Sequence, residues 1–248
     1  MLLKKISHHA RRLTCVTTLL ITTAFAGQSA LAAPSSTPST LHNIGIIGAG
    51  NMGETLGKLW ADAGYHVMIA SRHPDDLRAT ANEIGHGTQV GSVQQASQFG
   101  DVVVMAVPYG ALPTLGQSLK QPLAGKTVID VSNPYPGRDG ATAAKALSIG
   151  SGKASAQYLA GAHVIRAFNS LAATSIAANA HHNPLIAIPY AGDDQRALAQ
   201  AKTLIQGAGF APVATGNLAT ATRFQPGSSL FLQVLDEKTL RAQLANGQ

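Results

Sequence analysis

From about Leu41 onward, short apolar blocks alternate with segments of helical period. Asn43 to Ile47 reads as a strand and Asn51 to Ala63 as a helix closed by Gly64. His66 to Ala70 is the next strand, and Asp75 to Ile84 carries Leu77, Ala81 and Ile84 on one helical face. Gln89-Val90 predicts a short strand and Val93 to Phe99 a short helix. Val102 to Val107 is an unbroken apolar run, as in a strand covered on both faces, and Thr127 to Val131 reads as another. Leu112 to Leu119 lies between them as a helix. A Gly- and Pro-rich loop then leads into one long predicted helix, Ala141 to Leu159, and a strand, His163 to Phe168.

Two successive βαβαβ units of this kind predict the α/β class: a doubly wound, mostly parallel Rossmann sheet over residues 41–171. Past Leu171 the pattern weakens. Leu185 to Tyr190 is strand-like, Asp193-Asp194 would cap a helix reaching Gly207, Ala211 to Ala214 is a last short strand, and Leu230 to Leu244 has helical period. Residues 172–248 are expected to form a small C-terminal α/β extension packed on the Rossmann core.

The first residues read differently. Lys4, Lys5, Arg11 and Arg12 precede a Thr-rich apolar run, Leu13 to Phe25, and Ala30-Leu31-Ala32 supplies small residues for cleavage. The run is shorter than the roughly 20 apolar residues a membrane span needs. Residues 1–32 are therefore expected to be a removed signal peptide and residues 33–40 a polar linker, which places the mature chain in the periplasm or outside the cell. Arg11-Arg12 fits a twin-arginine signal, but Ala10 and Thr14 depart from that pattern, so both export routes stay open.

Removing the leader changes the charge picture. The chain has 18 Lys+Arg against 12 Asp+Glu, and four of the basic residues belong to residues 1–32. The mature balance is close to neutral, which argues against nucleic acid as a partner. Cys15, the single cysteine, also leaves, so neither disulfides nor thiolate chemistry are expected.

The candidate chemistry centres on Gly48-Ala49-Gly50-Asn51-Met52-Gly53, between a predicted strand and a predicted helix. Gly48 allows the tight turn, Gly50 lets a pyrophosphate approach the backbone, and Gly53 permits close helix–strand contact. The helix start then offers free N–H groups to phosphates. At the end of the second strand, where an acid would bind the ribose of NAD, the chain has Ser71-Arg72-His73. A carboxylate would repel a 2′-phosphate, whereas Arg72 can clasp one and Ser71 can donate to it. The cofactor expected is NADP. His73 has two readings, lying on the adenine or simply exposed, and Arg78 is a more distant candidate.

These residues, with Met105-Ala106-Val107-Pro108, resemble the NADP-dependent oxidoreductases that reduce the deazaflavin coenzyme F-420. The same core occurs in the reductase domain of membrane metalloreductases and in the N-terminal half of pyrroline-5-carboxylate reductase. Val131-Ser132-Asn133-Pro134, Val164 to Asn169 and Tyr190 to Asp194 are similar to the first of these. The resemblance implies that Ala106, Val107 and Pro108 lie along the nicotinamide ribose. It also implies that Asn133 and Asn169 border the nicotinamide and the acceptor. The chain departs from that family at Asp75-Asp76, where a basic residue is usual, and at Gln225, where a Glu is usual.

Hydride transfer to a flavin-like ring asks mainly for two faces held together, and no catalytic side chain is assigned. The partners expected are a small electron acceptor of flavin, deazaflavin or quinone type and a second copy of the chain in a homodimer. Stable membrane insertion and a metal site are not expected. Tyr109 and Tyr135 each either line the acceptor pocket or pack on their loops. A second reading is a non-catalytic NADP-binding or sensor protein exported with its cofactor.

Overall fold

Period-two alternation sorts the strand residues onto two faces of one sheet. In the computed structural model, which describes residues 41–247, Ile44, Ile46, Val102, Val104, Ile129 and Ile165 share one apolar cluster. Their neighbours Ile47, Val103, Met105, Val128 and Val164 share the opposite one. Helices cover both faces, so the strands are buried throughout, as the apolar runs required. The leader, the linker and Cys15 lie outside the described residues.

In chain order the elements are β1 (Asn43–Ile47), α1 (Asn51–Asp62), β2 (His66–Ala70), α2 (Arg78–Ile84), β3 (Gln89–Gly91), α3 (Val93–Phe99) and β4 (Val102–Met105). Then come α4 (Leu112–Ser118), α5 (Lys120–Leu123), β5 (Thr127–Asp130), α6 (Pro136–Ile149), α7 (Ser151–Tyr158) and β6 (His163–Arg166). The chain closes with α8 (Ala173–Asn179), β7 (Ala187–Gly192), α9 (Gln195–Gly207), β8 (Ala211–Gly216) and α10 (Glu237–Asn246). The sheet order is β3-β2-β1-β4-β5-β6-β7-β8. Strands β1 to β6 are parallel in the doubly wound order, so the expected α/β Rossmann sheet is what forms.

Residues after 171 do more than pack on the core. Strand β7 joins the same sheet antiparallel to β6, and β8 runs parallel to β7. A third apolar cluster, including Val213, Phe224, Leu240 and Leu244, seats α10. Trp60 on α1 donates its indole N–H to the carbonyl of Leu204 on α9 at 2.9 Å and meets Phe168 edge-on at 5.8 Å. One buried aromatic thus ties the first helix to the later part of the fold.

The predicted helix over 141–159 is two helices. It starts as expected after Gly140, whose φ of +51° and ψ of −128° separate it from a short turn opening at Pro136, and it breaks at Gly150, whose φ of +92° no helix residue adopts. The segment predicted helical from Asp75 starts as a 3-10 turn, Pro74–Leu77, before α2. Helix α8 was not expected. Among the described residues no helix is long and apolar enough to cross a membrane.

Strand register sets up the site. Ala70, Ile47, Met105, Asp130 and Arg166 form one row across the sheet, each paired to the next. The loops that follow this row therefore all leave the same edge. Strand order reverses between β1 and β4, which opens a crevice at that edge.

Candidate dinucleotide and acceptor site

The glycine loop leaves β1 at this reversal. Gly48 has φ +104°, and a Cβ there would meet the carbonyl oxygen of Ala106 at 2.2 Å. A Cβ on Gly53 would meet the Gly48 oxygen at 2.0 Å, so α1 sits directly on the turn. A Cβ on Gly50 would touch nothing within 4 Å. The turn thus needs Gly48 and Gly53 for its own packing, whereas Gly50 leaves open space. Gly50 is the N-cap of α1, and no side chain caps that end. The first N–H groups of the helix stay available for an anion. Those features fit a dinucleotide pyrophosphate.

The second part of the motif lies one strand away. The N–H of Gly48 bonds the Ala70 carbonyl at 2.8 Å, which joins the glycine turn to the end of β2. Ser71 accepts a hydrogen bond from the His73 N–H at 3.0 Å, leaving its own hydroxyl proton to donate. Arg72 and His73 are exposed. Among the described residues Arg72 makes no ion pair, while the nearby Arg78 is matched with Asp75 at 3.1 Å. Asp75 is thereby matched by a different cation in an exposed ion pair, and Asp76 makes none among the described residues.

A cleft of about 270 Å³ extends from the glycine loop along the sheet edge. Gly50, Asn51 and Met52 form one wall, Ala106, Val107 and Pro108 the floor, and Ser132, Asn133, Tyr135 and Arg138 the far wall. Gly48, Ala49 and Gly53 stand behind the first wall, and Ser71, Arg72 and His73 lie outside this cleft.

Asn133 and Asn169 are brought together, but only one faces the cleft. Asn133 donates Nδ2–H to the Asn169 carbonyl at 2.7 Å. Asn169 is only 1% exposed; its Nδ2 donates to the Phe224 carbonyl at 3.2 Å and its Oδ1 has no partner. Asn169 reaches the cleft through Asn133.

Beneath the far wall lies a polar network that the apolar runs concealed. Arg166 and Asp130 form an ion pair at 2.5 Å, both 0% exposed. Asp130 accepts from the Ser132 N–H at 2.9 Å and from the Ser155 hydroxyl at 2.6 Å. Arg166 donates to the Ser132 carbonyl at 2.5 Å. Ser132, next to Asn133, is thus held at both ends of its peptide. Tyr109 donates its hydroxyl to the Ser151 carbonyl at 2.8 Å and is wholly buried. Burial first, and then the Asp130 charge, push its phenol well above the ordinary range. Of its two readings, the structure gives packing. Tyr135, in contrast, lines the cleft and is 41% exposed.

Arg138 was not singled out by its sequence context. Its signal was available: an arginine five residues past Asn133 in the first turn of the helix that follows β5. It donates Nε–H to Asp139 Oδ1 at 3.0 Å, and Nη2–H to Asp139 Oδ2 and to the Asn133 carbonyl, both at 2.8 Å. Gln225 accepts from the Ser151 N–H at 3.1 Å, so this departure from the family pattern serves the start of α7.

Residues 43–134, which hold the glycine turn, the end of β2 and most of the cleft, match the family described as NADP oxidoreductase, coenzyme F420-dependent. This match covers the dinucleotide half of the site, and the likeness is to the NADP oxidoreductases. Metalloreductase STEAP3 of Rattus norvegicus is 29% identical over 192 residues, covering 74% of this chain and 36% of that protein. The chain therefore spans about a third of that curated relative. A hypothetical protein of Sinorhizobium meliloti superposes with a TM-score of 0.67 at 28% identity, covering 80% of this chain and 97% of the other. A candidate F420-dependent NADP-reductase of Arthrobacter sp. FB24 shares the fold, with a TM-score of 0.59, 22% identity, and coverage of 73% and 87%. The resemblance carried by the sequence motifs is thus matched by the family model over residues 43–134.

Proposed function

We propose that the protein is an NADP(H)-dependent oxidoreductase that passes a hydride between NADPH and a flavin-like, deazaflavin or other small electron acceptor. The observation that carries this is the glycine turn: Gly50 faces open space before an uncapped helix start, one strand from an exposed Arg72. The residues present fit the pyrophosphate at residues 48–53 and the 2′-phosphate at Ser71 and Arg72. Bound NADPH supplies two electrons and a proton as hydride, and the acceptor takes them up with any further proton drawn from solvent. The protein orients. Ala106, Val107 and Pro108 offer a surface for the nicotinamide ribose, and Asn133, fixed by Asn169 and by the network under Ser132, borders the ring. None of these steps needs a side-chain acid or base, in keeping with a cleft lined by no histidine, lysine or carboxylate.

The test is steady-state oxidation of NADPH with a panel of flavin, deazaflavin and quinone acceptors. Turnover with at least one of them is the expected result. Tight NADPH binding with no oxidation by any acceptor would instead support a sensor. Gln225 has a structural partner in the Ser151 N–H, so its departure from the family pattern does not by itself favour that second reading.

We also propose that residues 1–32 direct the chain out of the cytoplasm by the twin-arginine route, with cofactor already bound. A reporter fused to residues 1–40 should be exported in normal cells and retained in cells lacking the twin-arginine translocase. Equal export in both would refute that route.

A further inference from the structure

We infer that Tyr135 and Arg138 form the acceptor subsite, and that it selects a planar aromatic acceptor carrying an anionic group. The inference rests on the oxidoreductase reading and deepens it.

Arg138 is the one charged residue among those lining the cleft, and no carboxylate lines it. Its guanidinium carbon lies 5.1 Å from the centre of the Tyr135 ring. A cation so placed binds the ring face and fixes it. Both residues hang from a single carboxylate. Asp139 takes the Arg138 Nε–H and Nη2–H, and also accepts the Tyr135 N–H at 2.9 Å and the Gly110 N–H at 3.0 Å. The Asp139 side chain is 1% exposed and the Arg138 side chain 45%. The negative charge is thus withdrawn into the protein, and the positive one is presented to the cleft.

A simple surface ion pair explains this less well. Such pairs contribute little to stability, and they do not require a carboxylate to be stripped of water. Here the carboxylate is buried and Arg138 is held at three points. Its Nη1 makes no hydrogen bond to a described residue. An orienting arrangement with an unused N–H pair suits an oxygen anion, which guanidinium binds at short range. Val131 adds an apolar surface beside Tyr135 and Arg138, while Ala106, Val107 and Pro108 are left to the cofactor. A conjugated ring laid against the nicotinamide would have Tyr135 as its aromatic neighbour.

Flavin mononucleotide and riboflavin carry the same ring and differ by a phosphate, which makes them the matched probes. Anthraquinone-2-sulfonate adds an anion borne on the ring itself and separates that source from a tail phosphate. Binding is read by fluorescence quenching on the full chain, with and without NADP⁺, so the result does not depend on turnover. The unsubstituted protein should bind flavin mononucleotide at least tenfold more tightly than riboflavin. In Arg138→Gln that ratio should fall at least fivefold, with Arg138→Lys between the two. Tyr135→Ala should weaken both flavins together. Arg196→Ala, an exposed arginine on α9, is the control.

A ratio near one in the unsubstituted protein, or an unchanged ratio in Arg138→Gln, overturns the inference. So does a loss of NADPH affinity in Arg138→Gln as large as its loss of flavin mononucleotide affinity, which would make Arg138 a cofactor residue. Selective flavin binding through Arg138 without NADPH oxidation would leave this subsite standing and remove the oxidoreductase reading instead.

Discussion

Asp130 and Arg166 face each other across neighbouring strands at 2.5 Å, with no exposure of either side chain. The pair stands at the end of the sheet, under the loop that presents Asn133 to the cleft. Each partner also holds the Ser132 peptide, one by its N–H and the other by its carbonyl. The pair therefore links the core to the geometry of the site.

Breaking it from one side leaves a buried charge without a counter-ion. Asp130→Asn should lower unfolding stability by about 3–5 kcal/mol, as measured by urea denaturation. Replacing both residues with apolar ones of similar size, Asp130→Leu with Arg166→Met, should cost less than the single change. The double variant should nonetheless bind acceptor less well, because Ser132 is no longer held. A double variant with the stability loss of the single one would contradict this.

The glycine turn separates folding from binding. Gly53→Ala forces a Cβ against the Gly48 carbonyl and should lower the melting temperature by several degrees. Gly50→Ala meets no protein atom, so the melting temperature should hold. Its dinucleotide affinity should fall at least tenfold, because the methyl group occupies the space proposed for the pyrophosphate. Calorimetric titration and thermal melts of the two variants check both halves.

Asp139 gives a pH signature. Burial pushes its carboxyl up, but the Arg138 hydrogen bonds, the Tyr135 and Gly110 N–H groups and the Arg138 charge outweigh this and hold it below its ordinary value. A carboxyl lowered in the folded state stabilises the fold fully above the unfolded value near 3.8, and that contribution is lost as pH falls through the folded value. The stability gap between the natural protein and Asp139→Asn should therefore be constant near neutrality and narrow below about pH 4. A gap that widens on acidification would reverse the sign of this argument.

Most of the sheet was legible in the sequence because its strands are buried on both faces. Val102 to Met105 then reads as an apolar run whatever its neighbours are. The glycine turn was legible because its spacing is a backbone requirement. What long-range pairing decides was not. Nothing local in Ala187 to Gly192 says that β7 runs against β6. Nothing in the runs around Asp130 and Arg166 says that the two charges meet. The break at Gly150 was within reach, since a glycine inside a helical pattern is a candidate stop. Tyr109 was ambiguous because its partners, Ser151 and Ser155, lie over 40 residues on.

The preference for NADP rests on Arg72, which stands where an acid would bind the ribose of NAD. The direct measurement is calorimetric titration of the purified protein, and of Arg72→Ala, with NADPH and with NADH. The natural protein should prefer NADPH by at least tenfold, and Arg72→Ala should lose most of that preference while keeping its NADH affinity. Equal affinity for the two nucleotides in the natural protein, or binding of neither, would contradict the account.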